Sequence, residues 1–186
     1  MQDLLINRKK LAGIIKEELN LQPEDTVLDI GCGDGEIMHR LTVSANDIIG
    51  IDTAFDEHWG ENVNLDIRYG DARKLSFQDN AFNKVYSSHT IEHIKELNLV
   101  MEECFRILKP HGVAVFIYPW ELWRGMAHAR GAWRKYKNPF LGYLDHVHKL
   151  NPKKVRLAAN NANLLQLRSF IFFANTPQYC SVFKKY

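Results

Sequence analysis

Cysteine is scarce. The 186 residues hold three, Cys32, Cys104 and Cys180, widely spaced and with no Cys-x-x-Cys pair. That excludes a small disulfide scaffold and predicts free thiols in a reducing compartment. Long apolar runs are lacking as well. None approaches the roughly 18 residues of a membrane span. The first 21 residues break up their leucines and isoleucines with Asp3, Arg8, Lys9, Lys10, Lys16, Glu17 and Glu18, so they lack a signal peptide's continuous apolar core. A cytoplasmic location is expected. Internal repeats and low-complexity linkers are missing too. With 46% hydrophobic and 25% charged residues, the composition excludes a disordered tail or a collagen-like fibre. At about 150 residues per domain, this predicts a single domain over 1–186.

The formal net charge of +2 conceals an uneven distribution. Residues 1–122 carry 12 Lys and Arg against 21 Asp and Glu, whereas residues 123–186 carry 12 against the single acid Asp145. Such a separation suggests that the C-terminal third faces an anionic partner, although a dipolar surface that only keeps the chain soluble has the same pattern.

Apolar periodicity marks the elements. Leu4, Leu5, Leu11, Ile14, Ile15 and Leu19 form a helical stripe, with Pro23 beyond it. Thr26–Ile30 is a short apolar run stopped by glycines, which reads as a buried strand. A helix over 34–42 follows. Strands are expected at Asp47–Ile51, Leu65–Tyr69 and Phe82–Ser87. One helix is expected over Ile91–Leu108, then a turn at Lys109–Gly112 and a strand at Val113–Tyr118. Asn151 as N-cap and Pro152 at the first position open a helix to residue 162. Leu164–Ala174 and Tyr179–Lys184 then form an antiparallel pair around Pro177. Alternating strands and helices predict an α/β fold whose parallel sheet is covered on both faces. Ligands of such sheets bind beyond the carboxyl ends of the strands.

The first of those ends reads Asp29-Ile30-Gly31-Cys32-Gly33-Asp34-Gly35-Glu36. Glycines let a ligand approach the backbone, and the helix that follows offers free amides. A dinucleotide fingerprint would need G-x-G-x-x-G, but Glu36 stands at the third glycine. Asp34 and Glu36 would repel a pyrophosphate and tolerate a cationic or zwitterionic ligand. This disfavours a nicotinamide reductase. Asp52, at the second strand end, can accept from both hydroxyls of a ribose, or simply cap a helix before Ala54. Asp71, in Gly70-Asp71-Ala72 at the third, can bond an exocyclic adenine amine.

In this order and spacing, these segments resemble the class I S-adenosylmethionine-dependent methyltransferases of the small-molecule subgroup. Leu75–His93 and Glu103–Gly112 add to the likeness, which is strong over 24–118 and loose over 145–186. The resemblance implies a Rossmann-like three-layer sandwich with a seven-stranded sheet, six strands parallel and the last antiparallel. It also implies bound S-adenosyl-L-methionine. By the same resemblance, Asp29, Gly31, Cys32 and Gly33 line the methionine part, Asp52 and Thr53 the ribose, Asp71 and Ala72 the adenine, with Ser88 and His89 beside the ligand. Asn83 stands where the family often has Asp, at a position expected to lie away from the cofactor.

Methyl transfer is an in-line displacement, so alignment contributes most and a base is needed only if the acceptor must lose a proton. His89 at a strand end, and His146 in Asp145-His146-Val147-His148, are the candidate bases. His93, four residues from His89, can line the site or pack on the sheet. His111 is expected at the opposite end. His146 and His148 lack a third ligand of suitable spacing, so no metal is expected. An insertion at about 119–150 mixes Trp120, Trp123, Trp133, Tyr136, Phe140 and Tyr143 with Arg124, Arg130, Arg134, Lys135 and Lys137. It can wall and clamp an anionic small molecule, or form an amphipathic flap over the sheet. Methyl transfer to a small, anionic acceptor is therefore the leading expectation. The alternatives are an RNA methyltransferase, since cations interleaved with aromatics also suit nucleic acid, and a non-catalytic partner subunit that keeps the fold. The oligomeric state is not legible.

Overall fold

Alternation along each strand decides which helix layer its side chains meet. In β1 (Thr26–Ile30), Val27 points into one apolar cluster while Leu28 and Ile30 point into another, and all three are fully buried. The computed structural model describes residues 2–54, 65–120, 147 and 149–186, with side chains from residue 8 onward. The cluster around Val27 holds Leu11, Ile15 and Leu19 of α1 (Gln2–Leu19) and Met38 and Leu41 of α2 (Glu36–Leu41). The cluster around Leu28 holds Val100, Met101, Cys104 and Ile107 of α3 (Leu97–Ile107) and Val155, Ala158 and Ala159 of α4 (Pro152–Asn161). Helix layers thus cover both faces, as a parallel sheet requires.

The other strands are β2 (Asp47–Asp52), β3 (Asp66–Tyr69), β4 (Phe82–Ser88), β5 (Leu108–Pro119), β6 (Leu164–Ala174) and β7 (Thr176–Lys185). They form one seven-stranded sheet in the order β3-β2-β1-β4-β5-β7-β6. Pairings from β3 to β5 are parallel, and β7 runs antiparallel to both β5 and β6. The strand order reverses direction between β1 and β4. That switch point opens a crevice at the carboxyl ends.

Three local expectations are corrected. Ile91–Leu108 is not one helix. A 3-10 turn at Ile91–His93 is followed by extended backbone at Ile94, and α3 begins only at Leu97. Periodicity could not reveal the break, because Ile91 and α3 bury residues at helical spacing on either side of it. Lys109–Gly112 does not precede β5 but lies within it. Phe82 pairs Leu108 and Lys84 pairs Val113, so the extra residues bulge out of the ladder. His111 takes φ +65°, and a Cβ at Gly112 would come within 2.9 Å of the Lys109 carbonyl. Pro177 lies inside β7, paired with Phe173, and the hairpin turns at Asn175 (φ +66°).

Asn83 sits at the amino end of β4. Its Oδ1 accepts from the Thr26 amide, the Thr26 hydroxyl and the Lys109 ammonium. It is a structural tie far from the crevice, as expected. All three cysteines are free and buried. No helix among the described residues is long and apolar enough to cross a membrane.

Candidate active site

The crevice has two chambers that share Gly31 and His89. The first, about 570 Å³, is lined by Asp52, Thr53, Asp71 and Ala72 from the ends of β2 and β3, and by Arg73, His93 and Glu96. The second, about 440 Å³, is lined by Asp29, Cys32, Gly33, Asp34, Ser88 and, from α1, Arg8. The ten residues expected to contact a cofactor all face one chamber or both. They are separated in sequence by up to 60 positions, and the parallel register of β1, β2, β3 and β4 brings them together. His146 and His148 lie outside the described residues, as does 121–146 of the expected insertion. Trp120, the described residue next to β5, donates its amide to the Pro177 carbonyl.

Gly31 leaves β1 at φ +78°, donating its amide to the Ile51 carbonyl at 2.8 Å. A Cβ there would lie 2.0 Å from the Thr90 hydroxyl, so only glycine lets the loop after β4 close on β1. Gly33 faces open space instead, which leaves its backbone accessible. The Asp52 carboxylate accepts from the Gly33 amide at 3.0 Å and the Ala54 amide at 2.9 Å. It therefore caps its own turn and holds the glycine loop at once, with lone pairs remaining.

Asp29 is 2% exposed. Burial pushes its carboxyl up to about 8, the neighbouring Tyr86 hydroxyl pulls it down, and the Asp52 charge raises it further. Burial and the same two aspartates push the Cys32 thiol upward, so it is no nucleophile. Asp34 pairs with Arg8 at 2.5 Å, and Glu36 pairs with Arg8 and Arg40. The acids at the start of α2 are thus partly neutralised, which their sequence positions did not reveal. Ser88 Oγ is buried against the second chamber with no partner among the described residues.

In the first chamber, Arg73 donates to both Asp71 oxygens and to Glu96 Oε2 at 2.9 Å. The guanidinium holds the Asp71 carboxyl below its usual range. Arg73, Glu96 and Arg8 were not foreseen. Arg8 is 26 residues from Asp34, and no local spacing links them. His89 takes φ +57°, with its amide donating to the Ile117 carbonyl. It stands outside any helix, so it and His93 do not share a helical face, yet both line the first chamber. No group of three or more metal-ligating side chains among the described residues can hold a metal ion.

These chambers suit a zwitterionic adenosyl ligand. A buried, unneutralised carboxyl favours a cation in one chamber, and the other presents acceptors for hydroxyls and an amine. The sheet order, its antiparallel β7 and the crevice define the Rossmann-like fold of class I methyltransferases.

Comparison with known proteins agrees. Residues 28–116, just under half of the chain, match the family described as "Methyltransferase domain". Sterol 4-C-methyltransferase strm-1 of Caenorhabditis elegans is 31% identical over 113 residues, which are 56% of this chain and 34% of that protein. Ubiquinone biosynthesis O-methyltransferase of Bartonella tribocorum is 27% identical over 120 residues, 58% of this chain and 49% of that protein. The chain thus spans half or less of the length of these curated relatives. The crystal structure of geranyl diphosphate C-methyltransferase from Streptomyces coelicolor A3(2), in complex with Mg2+, geranyl diphosphate and S-adenosyl-L-homocysteine, superposes with a TM-score of 0.72. The match covers 95% of this chain and 77% of that one at 13% identity, a likeness of fold. The chain is thus similar to methyltransferases over residues 28–116, and it has the Rossmann-like fold of the class I S-adenosylmethionine-dependent enzymes.

Proposed function

We propose that the protein transfers a methyl group from S-adenosylmethionine to a small, anionic acceptor. The observation that carries this reading is the convergence of Asp29, Gly31, Asp52, Asp71 and His89 on two chambers that meet at Gly31. In this reading Asp29 holds the cofactor's ammonium, the Gly31–Gly33 backbone its methionine part, Asp52 the ribose and Asp71 the adenine amine. Thr53 and Ala72 line the adenosine chamber, Cys32 and Ser88 the other. When bound, the cofactor supplies an electrophilic methyl whose bond to sulfur breaks as the acceptor's electron pair forms the new bond. The chain's own part is to align the acceptor and exclude water, which can lower a barrier by roughly 7–11 kcal/mol. His89, where the chambers meet, takes the acceptor's proton if it has one to lose, and His146 is the second candidate for that role.

The acceptor's anionic character rests on the basic C-terminal third. Part of that charge has structural uses. Lys185 is buried and donates to Asn80, Phe105 and Leu108, and Arg168 pairs with Glu18. Lys153 and Arg156, with the five cations between 124 and 137, add positive charge that can attract an anion. Calorimetry with S-adenosylhomocysteine tests the cofactor half of the reading, and saturable binding is expected. A mass-spectrometric screen of carboxylate- and phosphate-bearing metabolites for the gain of one CH2 unit tests the acceptor half. Methylation confined to neutral acceptors would overturn the anionic assignment. Methylation of RNA, with nucleic-acid affinity that falls steeply with salt, would replace it with the alternative reading.

A further inference from the structure

Immediately after β4 the chain reads His89-Thr90-Ile91-Glu92-His93 and folds into the 3-10 turn at Ile91–His93. Ile91 packs into the core, and the turn carries Glu92 inward with it, so that the Glu92 side chain is 0% exposed. A carboxylate seldom occupies such a position without a charged or donating partner. Among the described residues two imidazoles stand near it, His93 from the same turn and His89, whose Nδ1 lies 3.5 Å from Glu92 Oε1.

We infer that Glu92 is a positioning residue for His89: it holds the proton on Nδ1 and turns the Nε2 lone pair toward the chamber junction. This deepens the reading of the crevice given above and rests on it. An ionised carboxylate only accepts, so the ring nitrogen facing Glu92 must donate. In a neutral imidazole the other nitrogen is then the acceptor. Nδ1 is buried on the Glu92 side, while the ring as a whole remains 26% exposed and lines both chambers. The backbone is fixed independently by φ +57° and the bond from the His89 amide to Ile117. Only the ring's orientation and protonation are left for Glu92 to set. Burial alone would raise the Glu92 carboxyl, but the adjacent imidazole outweighs it and the carboxyl lies below its usual range, in keeping with an ionised acceptor.

The consequence is a base with a defined direction. A proton on the acceptor's O–H or N–H passes to Nε2, leaving its electron pair on the acceptor atom, and the Glu92 charge stabilises the resulting imidazolium. The 3.5 Å separation is long for a hydrogen bond, as is common before a site closes on its ligands. Other groups also face His89: His93 from the same turn, Asp29 and Asp52 from the ends of β1 and β2, and Arg8 from α1. Replacing Glu92 by an isostere leaves them in place, so a difference measurement isolates its contribution.

The test is the long-range 1H–15N spectrum of the imidazoles in the full-length, 15N-labelled protein across the neutral pH range, assigned with His89→Gln. In the wild type the neutral ring is expected to carry its proton on Nδ1. In Glu92→Gln the fraction of the neutral His89 ring that carries its proton on Nδ1 is expected to fall, while S-adenosylhomocysteine affinity in calorimetry changes less than about twofold. A wild-type ring protonated on Nε2 overturns the inference without any variant. So does an unchanged tautomer ratio in Glu92→Gln. Failure of the wild type to bind S-adenosylhomocysteine would instead overturn the reading of the crevice, and leaves a separate signature.

Discussion

Asp29 and Asp71 stand at strand tips in the same crevice, but in opposite circumstances. Asp29 is buried beside Tyr86, pairs with no arginine among the described residues, and is pushed up to about 8. Asp71 is about one-third exposed, gripped by Arg73, and held below the ordinary carboxylate range. On the proposed reading, the difference sets which half of the crevice depends more on its ligand. A buried carboxyl without a cation is destabilising when ionised, so a positively charged ligand there recovers a large desolvation cost. A carboxylate already satisfied at the surface gains little from one more partner. The chamber of Asp29 should therefore supply most of the cofactor affinity, and the chamber of Asp71 should contribute selectivity for the adenosyl end.

Gly31, where the chambers meet, is the most direct place to break this contrast. Gly31→Ala puts a Cβ 2.0 Å from the Thr90 hydroxyl on a backbone at φ +78°. Overpacking costs about 1–3 kcal/mol and the left-handed conformation about 1–2 kcal/mol more. A fall in Tm of roughly 4–20 °C follows, at about 2–4 °C per kcal/mol. Binding of S-adenosylhomocysteine should be abolished in both chambers together. Gly33→Ala meets open space and should carry only the left-handed backbone cost at φ +54°, about 1–2 kcal/mol. Equal Tm values for the two variants would refute the steric role assigned to Gly31.

Asp29→Asn tests the buried half. Truncating one member of a buried charge pair typically costs about 2–5 kcal/mol, so S-adenosylhomocysteine affinity should fall by about 30-fold or more. Stability should move the other way. The folded-state carboxyl titrates near 8 against an unfolded value of 3.8, so the native state holds this proton more tightly. The resulting stabilisation is complete below the unfolded value and is lost as pH rises through about 8. The asparagine variant should consequently melt higher than the wild type at alkaline pH and show no such advantage in acid. Wild-type affinity for the ligand should climb with pH toward the same value. A pH-independent affinity would show that Asp29 does not meet the ligand's cation.

Asp52→Ala sits between the two halves, because its carboxylate reaches from the β2 end to the Gly33 amide. Hydrogen bonds to charged groups are worth about 1.5–3 kcal/mol. Loss of the ribose contacts, together with a loosened glycine loop, should weaken binding about tenfold or more in calorimetry. An equal loss for adenosine alone would assign the effect to the ribose. A loss seen only with the full ligand would assign it to the loop.

These expectations rest on features that differ in how far the sequence discloses them. The strand tips were legible because glycines and aspartates at the ends of short apolar runs leave few structural alternatives. The antiparallel β6–β7 pair was legible from two β-rich runs close together. The break after Ile91–His93 was not, since no glycine or proline marks it and the turn buries Ile91 at the same spacing a helix would. The bulge at Lys109–Gly112 looked like a turn because Pro-x-Gly chemistry serves either purpose. Arg8 stayed hidden because its partner Asp34 is 26 residues away and belongs to another element. Glu92 was hidden for a related reason. An acid between two histidines looks solvated in sequence, and only the tight turn after β4 shows it to be buried.

The smallest expected effect belongs to Arg73. Its guanidinium joins Asp71 to Glu96 across the mouth of the first chamber and is about half exposed, so water and salt screen whatever it contributes. It orients the Asp71 carboxylate without neutralising all its lone pairs, so Arg73→Ala should weaken S-adenosylhomocysteine by less than about fivefold. The deficit should shrink further as salt is added, because screening removes the same interaction in the wild type. Adenosine should show a comparable deficit, since the residue faces only the adenosyl chamber. Tighter binding by the variant would mean that the guanidinium competes with the ligand for Asp71. In that case the exposed half would pay for its preformed ion pair, and its contribution to selectivity would have to come from Asp52 alone.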